Sequence, residues 1–242
     1  MTTDRISRGL FYTGYMWALL LLTIPPLSLA LYALPRGRRP DALIKRWARL
    51  LIQLSGCRLR VRGLEHLQQD GPMVLVANHA SYVDSIVLMA ALPIEFRFVV
   101  NEQAVTWPVV GLAIRKVGHL VVDRTRLAGR HGCVLEMRDA LRRGTSLVVF
   151  PEGTIHQGVE LLPFQSGAFR IAVEVGRPVV PVSLRGTPHV LRDGRGVFRR
   201  GQLDVTIHAP IQPVGKSRQE IFRLRDRARQ EIISLCQEPF CC

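Results

Sequence analysis

Acid is in short supply in this 242-residue chain: 19 Asp and Glu stand against 33 Lys and Arg, a net charge of +14 and a sequence pI near 10.8. Such a balance suits a polyanionic partner, and nucleic acid, anionic lipid and an acidic carrier protein all qualify. Cysteines are few: Cys57, Cys133, Cys236, Cys241 and Cys242. None forms a C-x-x-C pair and no His/Cys spacing fits zinc, so neither a metal site nor a disulfide framework is expected. An odd count without a framework points to reduced thiols in a reducing compartment. The terminal Cys241-Cys242 pair reads as a tail. No internal repeat, low-complexity tract or nucleic-acid-binding motif is present. Only the pI argues for a nucleic-acid binder, and the next absence speaks against it.

From Leu10 to Leu34 there is no charged residue at all. No small-residue cleavage site follows, and the chain instead continues Leu34-Pro35-Arg36-Gly37-Arg38-Arg39, which reads as a retained anchor. Pro25-Pro26 interrupts the stretch and should break its backbone hydrogen bonding. Arginines lie on both sides, Arg5 and Arg8 before and Arg36 to Arg39 after. Both ends are therefore expected in the cytoplasm. A bent segment that enters one leaflet and returns fits best, with a single kinked span as the runner-up. Residues 1–60 carry ten Lys or Arg against Asp4 and Asp41, a net +8 of the +14. Such a flank favours anionic lipid headgroups, by roughly 1 kcal/mol per charge near the surface. The expected location is the cytoplasmic face of the inner membrane. A second basic cluster comprises Arg185, Arg192, Arg195, Arg199 and Arg200.

Residues 41–56 repeat Leu43, Trp47, Leu50, Leu51 and Leu54 at helical spacing, with Lys45, Arg46 and Arg49 as a basic face. A helix in the membrane interface and a surface helix packed on the core explain this equally. Beyond it, apolar runs alternate with helical stretches. Strands are predicted at Met73–Ala77, Arg97–Val100, Leu120–Asp123, Leu147–Phe150, Val179–Leu184 and Leu203–Ile207. Helices are predicted near Ser85–Leu92, Pro108–Lys116, Val134–Arg143, Ser166–Val175 and Arg218–Leu235. The fold class is α/β, with a mostly parallel central sheet flanked by helices and an N-terminal membrane-anchoring helical segment. Residues 1–60 are expected to form the anchoring region and 61–242 the domain that carries the chemistry.

The sharpest feature is Val74-Leu75-Val76-Ala77-Asn78-His79-Ala80-Ser81-Tyr82-Val83-Asp84. A buried-looking strand runs straight into Asn-His, where α/β sheets place their ligands. Neutral imidazole is a suitable general base, and a neighbouring carboxylate can fix its tautomer. Five residues on an ideal helix turn by about 500°, leaving the two side chains about 140° apart. His79 must therefore sit on the strand-to-helix turn, with Asp84 a turn or so into the helix. Phe150-Pro151-Glu152-Gly153-Thr154 lies at another strand end. Pro163 to Ala168 and Val180-Pro181-Val182-Ser183-Leu184 follow.

With these segments the chain resembles the 1-acylglycerol-3-phosphate O-acyltransferase (lysophosphatidic acid acyltransferase) family. Asn78-His79 with Asp84 matches that family's catalytic signature, and Phe150 to Thr154 its second. Gly118 to Arg124 resembles the block between them and Val180 to Leu184 the last. The resemblance implies that His79 removes a proton from the acceptor hydroxyl while Asp84 orients it, without a covalent intermediate or bound cofactor. It places Asn78, Ser81, Arg124, Glu152, Gly153 and Thr154 at the substrates. It implies acyl carrier protein or acyl-CoA as donor, a lysolipid as acceptor, and an anionic membrane surface as partner. Two positions depart from the family. Ile155 follows Glu-Gly-Thr, and Asn101 precedes Glu102, where the family commonly has Arg and Lys near the acceptor phosphate. A charge-assisted hydrogen bond contributes roughly 1.5–3 kcal/mol. Either Arg115, Lys116 or Arg124 compensates, or the acceptor has no phosphomonoester, as in a lyso-ornithine lipid. An inactive membrane-binding scaffold is the remaining reading.

Overall fold

The computed structural model describes residues 2–68, 70–123, 127–156, 160–191 and 196–236. Side chains at 2–8, 127–131 and 236 are not described. Arg124, Arg192, Arg195, Cys241 and Cys242, all used above, lie outside the described residues.

Two helices lead: α1 (Thr2–Ala33) and α2 (Arg38–Ser55). Strand β1 (Arg58–Arg62) follows. It was not expected, although its alternation of outward Arg with inward Leu59 and Val61 is the half-buried strand pattern. It also runs across residue 60. The remaining strands fall close to expectation: β2 (Val74–Ala77), β3 (Phe96–Asn101), β4 (Leu120–Val122), β5 (Ser146–Val149), β6 (Val179–Arg185) and β7 (Gln202–Ile207). So do helices α3 (Val83–Ala91), α4 (Pro108–Val117), α6 (Gly167–Val175) and α8 (Arg218–Cys236). Helix α5 (Leu127–Arg142) starts earlier than its apolar spacing suggests, and α7 (Thr187–Val190) is a single turn.

The strands form one sheet in the order β1-β7-β6-β2-β5-β3-β4. Strands β6, β2, β5, β3 and β4 run parallel, while β7 is antiparallel to β6 and carries β1 parallel to itself. The parallel part is buried on both faces. Leu75 and Ala77 of β2 face a core shared with α1, α2 and α3, whereas Val74 and Val76 face one shared with α5, α6 and α8. Burying a side chain such as Leu75 contributes about 1.5–3 kcal/mol. The order also sets the site. β2 lies between β5 and β6, so the segments leaving all three strands emerge side by side at their carboxyl ends.

Two expectations about the N-terminal region change. First, α1 runs through Pro25 and Pro26 without ending. Proline lacks the donor and disfavours the helix interior, but packing on both sides holds the direction. Met16 and Leu19 pack with Leu51 and Phe198, and Leu27 and Leu31 are buried in the core of the sheet's first face. Tyr12 and Tyr15 donate to the carbonyls of Ser55 and Leu54, and Trp17 to that of Gly196. Lys116 Nζ donates to the carbonyls of Tyr32 and Leu34 at the other end. Second, α2 turns part of its supposed basic face inward. Lys45 is buried, pairs with Asp41 at 3.0 Å and lies over the Phe96 ring. Arg49 donates to Ala90 O. Four residues separate Asp41 from Lys45, so they meet on one helix face, and the pair is neutral enough to enter the core.

Candidate active site

The turn after β2 carries the base and the first turn of α3 the acid. Asp84 is the second residue of α3, nearer the helix start than the spacing argument allowed. Its side chain folds back over the turn. Oδ2 accepts from His79 Nδ1 at 2.9 Å, Ala80 N at 2.7 Å and Ser81 N at 2.8 Å. Among the described residues Oδ1 has no hydrogen-bond partner. The Asp84 side chain is 0% exposed and that of His79 16%. A carboxylate at Nδ1 requires the proton there, which leaves the lone pair on Nε2, the form a general base needs. The helix N-terminus adds a favourable field for the carboxylate.

The segment after β5 holds His79 from the other side. Glu152 Oε1 accepts the His79 backbone N–H at 2.8 Å, and Oε2 accepts that of Leu162 at 3.0 Å. His156 N donates to His79 O at 2.9 Å. Glu152 is buried, and burial raises its pKa, opposed by the two backbone bonds. Both of its oxygens therefore serve the loop that shapes the site. Gly153 takes a positive φ of 81°, which glycine tolerates and which turns the chain beside His79. Thr154 is exposed and Ile155 half-buried.

Asn78 and Ser81 also act on backbone. Asn78 exchanges two hydrogen bonds with Leu184, at 2.9 Å from its Nδ2 and 2.8 Å to its Oδ1. The turn after β2 is thereby stitched to the end of β6. Ser81 Oγ donates to Leu191 O at 2.8 Å. Sequence spacing carries no signal for the Leu184, Leu191 or Leu162 partners, because each lies on a different element. The predicted pair His79 and Asp84 is thus together, with Asn78, Ser81 and Glu152 packed round it as supports.

Three of the positions that bear on the acceptor phosphate are also defined. Asn101 accepts from Gln103 N and caps the short 3₁₀ turn after β3. Lys116 is committed to the end of α1, so of the three proposed substitutes it is already occupied. Arg115 is exposed on α4. His119, in the same block, is half-buried, and desolvation, with smaller contributions from Arg97 and Lys45, lowers its pKa to about 3. It stays neutral and accepts from Phe98 N at 3.2 Å. An apolar pocket opens between α1, α2 and the start of α3, lined by Tyr82, Val83 and Ile86 of the α3 region, Leu20 of α1, Leu51 of α2 and Leu191.

The Acyltransferase family model matches residues 58–185, the stretch that carries the carboxylate–imidazole pair. The human 1-acyl-sn-glycerol-3-phosphate acyltransferase alpha is 29% identical over 231 residues, 94% of this chain and 80% of the relative. The chloroplastic 1-acyl-sn-glycerol-3-phosphate acyltransferase BAT2 of Brassica napus is 35% identical over 153 residues, 62% of this chain. The chain spans only 44% of that plant relative's length. The crystal structure of the 1-acyl-sn-glycerophosphate acyltransferase PlsC from Thermotoga maritima superposes with a TM-score of 0.78, at 25% identity over 96% of each chain. The chain belongs to the 1-acyl-sn-glycerol-3-phosphate acyltransferase family and is an acyltransferase.

Proposed function

We propose that the protein moves an acyl chain from acyl carrier protein or acyl-CoA to the free hydroxyl of a lysolipid, with His79 as general base. The observation that carries this reading is the His79–Asp84 pair at the carboxyl end of β2, its Nδ1–Oδ2 distance 2.9 Å. His79 Nε2 takes the hydroxyl proton as the oxygen attacks the thioester carbonyl. The C–O bond forms, the C–S bond breaks, and the imidazolium returns the proton to the departing thiolate. Asp84 supports the positive charge while it lasts. The apolar pocket between α1, α2 and α3 offers the acyl chain a seat. An inactive scaffold would not need the dyad and the backbone bonds that hold it.

The acceptor is argued from the departures. Ile155 has no charge, Asn101 caps a turn, and Lys116 holds α1. These favour a lysolipid without a phosphomonoester, such as a lyso-ornithine lipid, over lysophosphatidic acid. The test compares kcat/KM for both acceptors, with one donor, in wild type and Ile155→Arg. Wild type is expected to use lysophosphatidic acid poorly. Ile155→Arg should raise that use about tenfold, or 1.4 kcal/mol. A wild-type preference for lysophosphatidic acid that Ile155→Arg does not increase would sink this acceptor assignment.

The same reading places the protein on the cytoplasmic face of the inner membrane. The stretch Gly9–Ala33 is long and apolar enough to cross a bilayer, with mean hydropathy 1.8 and 17% of its most apolar window buried. Leu10, Phe11, Leu21, Leu22, Leu29 and Tyr32 face outward. Yet α1 is tied to the domain near both ends, by Tyr12 and Trp17 at one and by Leu31 and the Tyr32 carbonyl at the other. A helix so fastened lies along the membrane surface, its outer face in one leaflet. Single cysteines, Thr3→Cys and Gly37→Cys in a background without the native cysteines, should label from the same side of sealed vesicles. Labelling from opposite sides would show a full span.

A further inference from the structure

Phe150 is known so far only as the residue that opens its segment, and the mechanism above does not use it. Its ring lies flat against the His79 imidazole, centroids 4.0 Å apart and planes 14° from parallel. Phe98 stacks behind it at 6.0 Å and 13°. The column ends on His119, whose ring meets Phe98 edge-on at 5.3 Å. The placement follows from the sheet. β2 and β5 are neighbours in parallel register, and alternate residues share a face. Phe150 continues the face of Val148, and Pro151 keeps it extended. Phe98 comes from β3, the next strand over. Three strands thus deliver one aromatic stack to the base.

We propose that Phe150 is a positioning residue: it fixes the plane of the His79 ring and stabilises the imidazolium formed during acyl transfer. Two features make this necessary. A single Nδ1 bond to Asp84 leaves the imidazole free to swing about that bond, and a flat neighbour at 4.0 Å removes the freedom. The Asp84 charge is also shared, because the same oxygen accepts two backbone N–H groups. Donors of this kind satisfy a carboxylate and weaken its pull on a third partner. The electron-rich face of an aromatic ring attracts a cation, so Phe150 supplies a second stabilising contact at right angles to the first. The other charged or titratable groups about His79 are Glu152 and His156, both on the segment that Phe150 opens. Neutral His119 at the far end of the stack adds no opposing charge.

The inference rests on His79 being the base, and the test separates the two ideas. Pentafluorophenylalanine at position 150 keeps ring size and packing while reversing the polarity of the ring face. Phe150→Leu removes the ring, and Phe150→Tyr retains it. The expected result is a single-turnover acyl-transfer rate about tenfold lower in Phe150→Leu and in the pentafluoro protein, with acceptor KM little changed and Phe150→Tyr near wild type. The His79 ring-proton NMR signals should move downfield in Phe150→Leu as the ring current is lost. That signal needs no turnover, so the stack can be verified even if the acyl-transfer reading fails. A pentafluoro protein that turns over at the wild-type rate overturns the proposal. So do His79 signals that do not move when the ring is removed.

Discussion

Replacing His79 by alanine will lower kcat/KM for acyl transfer by about 10²–10⁴-fold, the range for removal of a general base, in a protein that stays folded. The side chain lies at a strand end and not in the core. Its loss takes one of three donors from Asp84 and leaves the amides of Ala80 and Ser81 in place. The Glu152 bond to residue 79 is a backbone bond and survives the substitution. Thermal unfolding should therefore shift by several degrees, about 1.5–3 kcal/mol of stability for one hydrogen bond to a charged group. The measurement is steady-state transfer from an acyl thioester, with circular dichroism as the control for folding. Near-normal turnover in a folded His79→Ala protein would remove the mechanism.

Asp84→Asn should cost about as much, mainly in kcat, for a different reason. The amide oxygen can occupy the Oδ2 position and accept the same three donors, so the geometry can persist. The charge cannot. An imidazolium forming beside a neutral, fully buried amide loses its counter-charge in a place that water does not reach. The amide NH₂ would also fall where Oδ1 now has no partner, an unsatisfied buried donor that costs about 1–3 kcal/mol. Turning the amide over would instead set its NH₂ against the N–H groups of Ala80 and Ser81. A lowered kcat with acceptor KM little altered, and a lower Tm than His79→Ala, is the expected pattern. Wild-type kcat in Asp84→Asn would show that the carboxylate charge contributes nothing.

Much of this was legible in the chain, residue by residue. Six of the seven strands were expected from their apolar residues: β2, β5 and β6 because the middle of a parallel sheet is buried on both faces, and β7 because Leu203, Val205 and Ile207 alternate with Gln202, Asp204 and Thr206. β1 hid for the opposite reason. It lies at the sheet edge with one face open, and its Arg58, Arg60 and Arg62 look like a charge cluster until the period of two is noticed. The His79 and Asp84 pairing was legible from the spacing only together with the Phe150–Thr154 and Val180–Leu184 segments and the family they resemble. The roles of Asn78, Ser81 and Glu152 were not, because their partners Leu184, Leu191 and Leu162 are backbone groups, which every residue type possesses.

The helix break expected at Pro25-Pro26 shows how local chemistry can lose. Proline costs about 3 kcal/mol in a helix interior, and local sequence records only that cost. The burial of Leu27 and Leu31 and the clasp of Lys116 on the Tyr32 and Leu34 carbonyls offset it from elsewhere in the chain. Lys45 is similar: a basic residue on an amphipathic helix looks solvated until Asp41, Ile94 O and the Phe96 ring are brought round it.

By itself, then, the sequence determined the α/β class, the strand ends that carry polar clusters, the candidate pair His79 and Asp84, and the excess of positive charge near an apolar segment. These are consequences of residue type and short-range period, which act over a few positions. Only the tertiary structure decided the strand order that sets β2 between β5 and β6, and with it the stacking of Phe150 on His79 and the docking of α1 along the domain. Those contacts join residues many positions apart. Their partners are selected by which surfaces remain to be buried once the sheet has formed, and no local pattern encodes that.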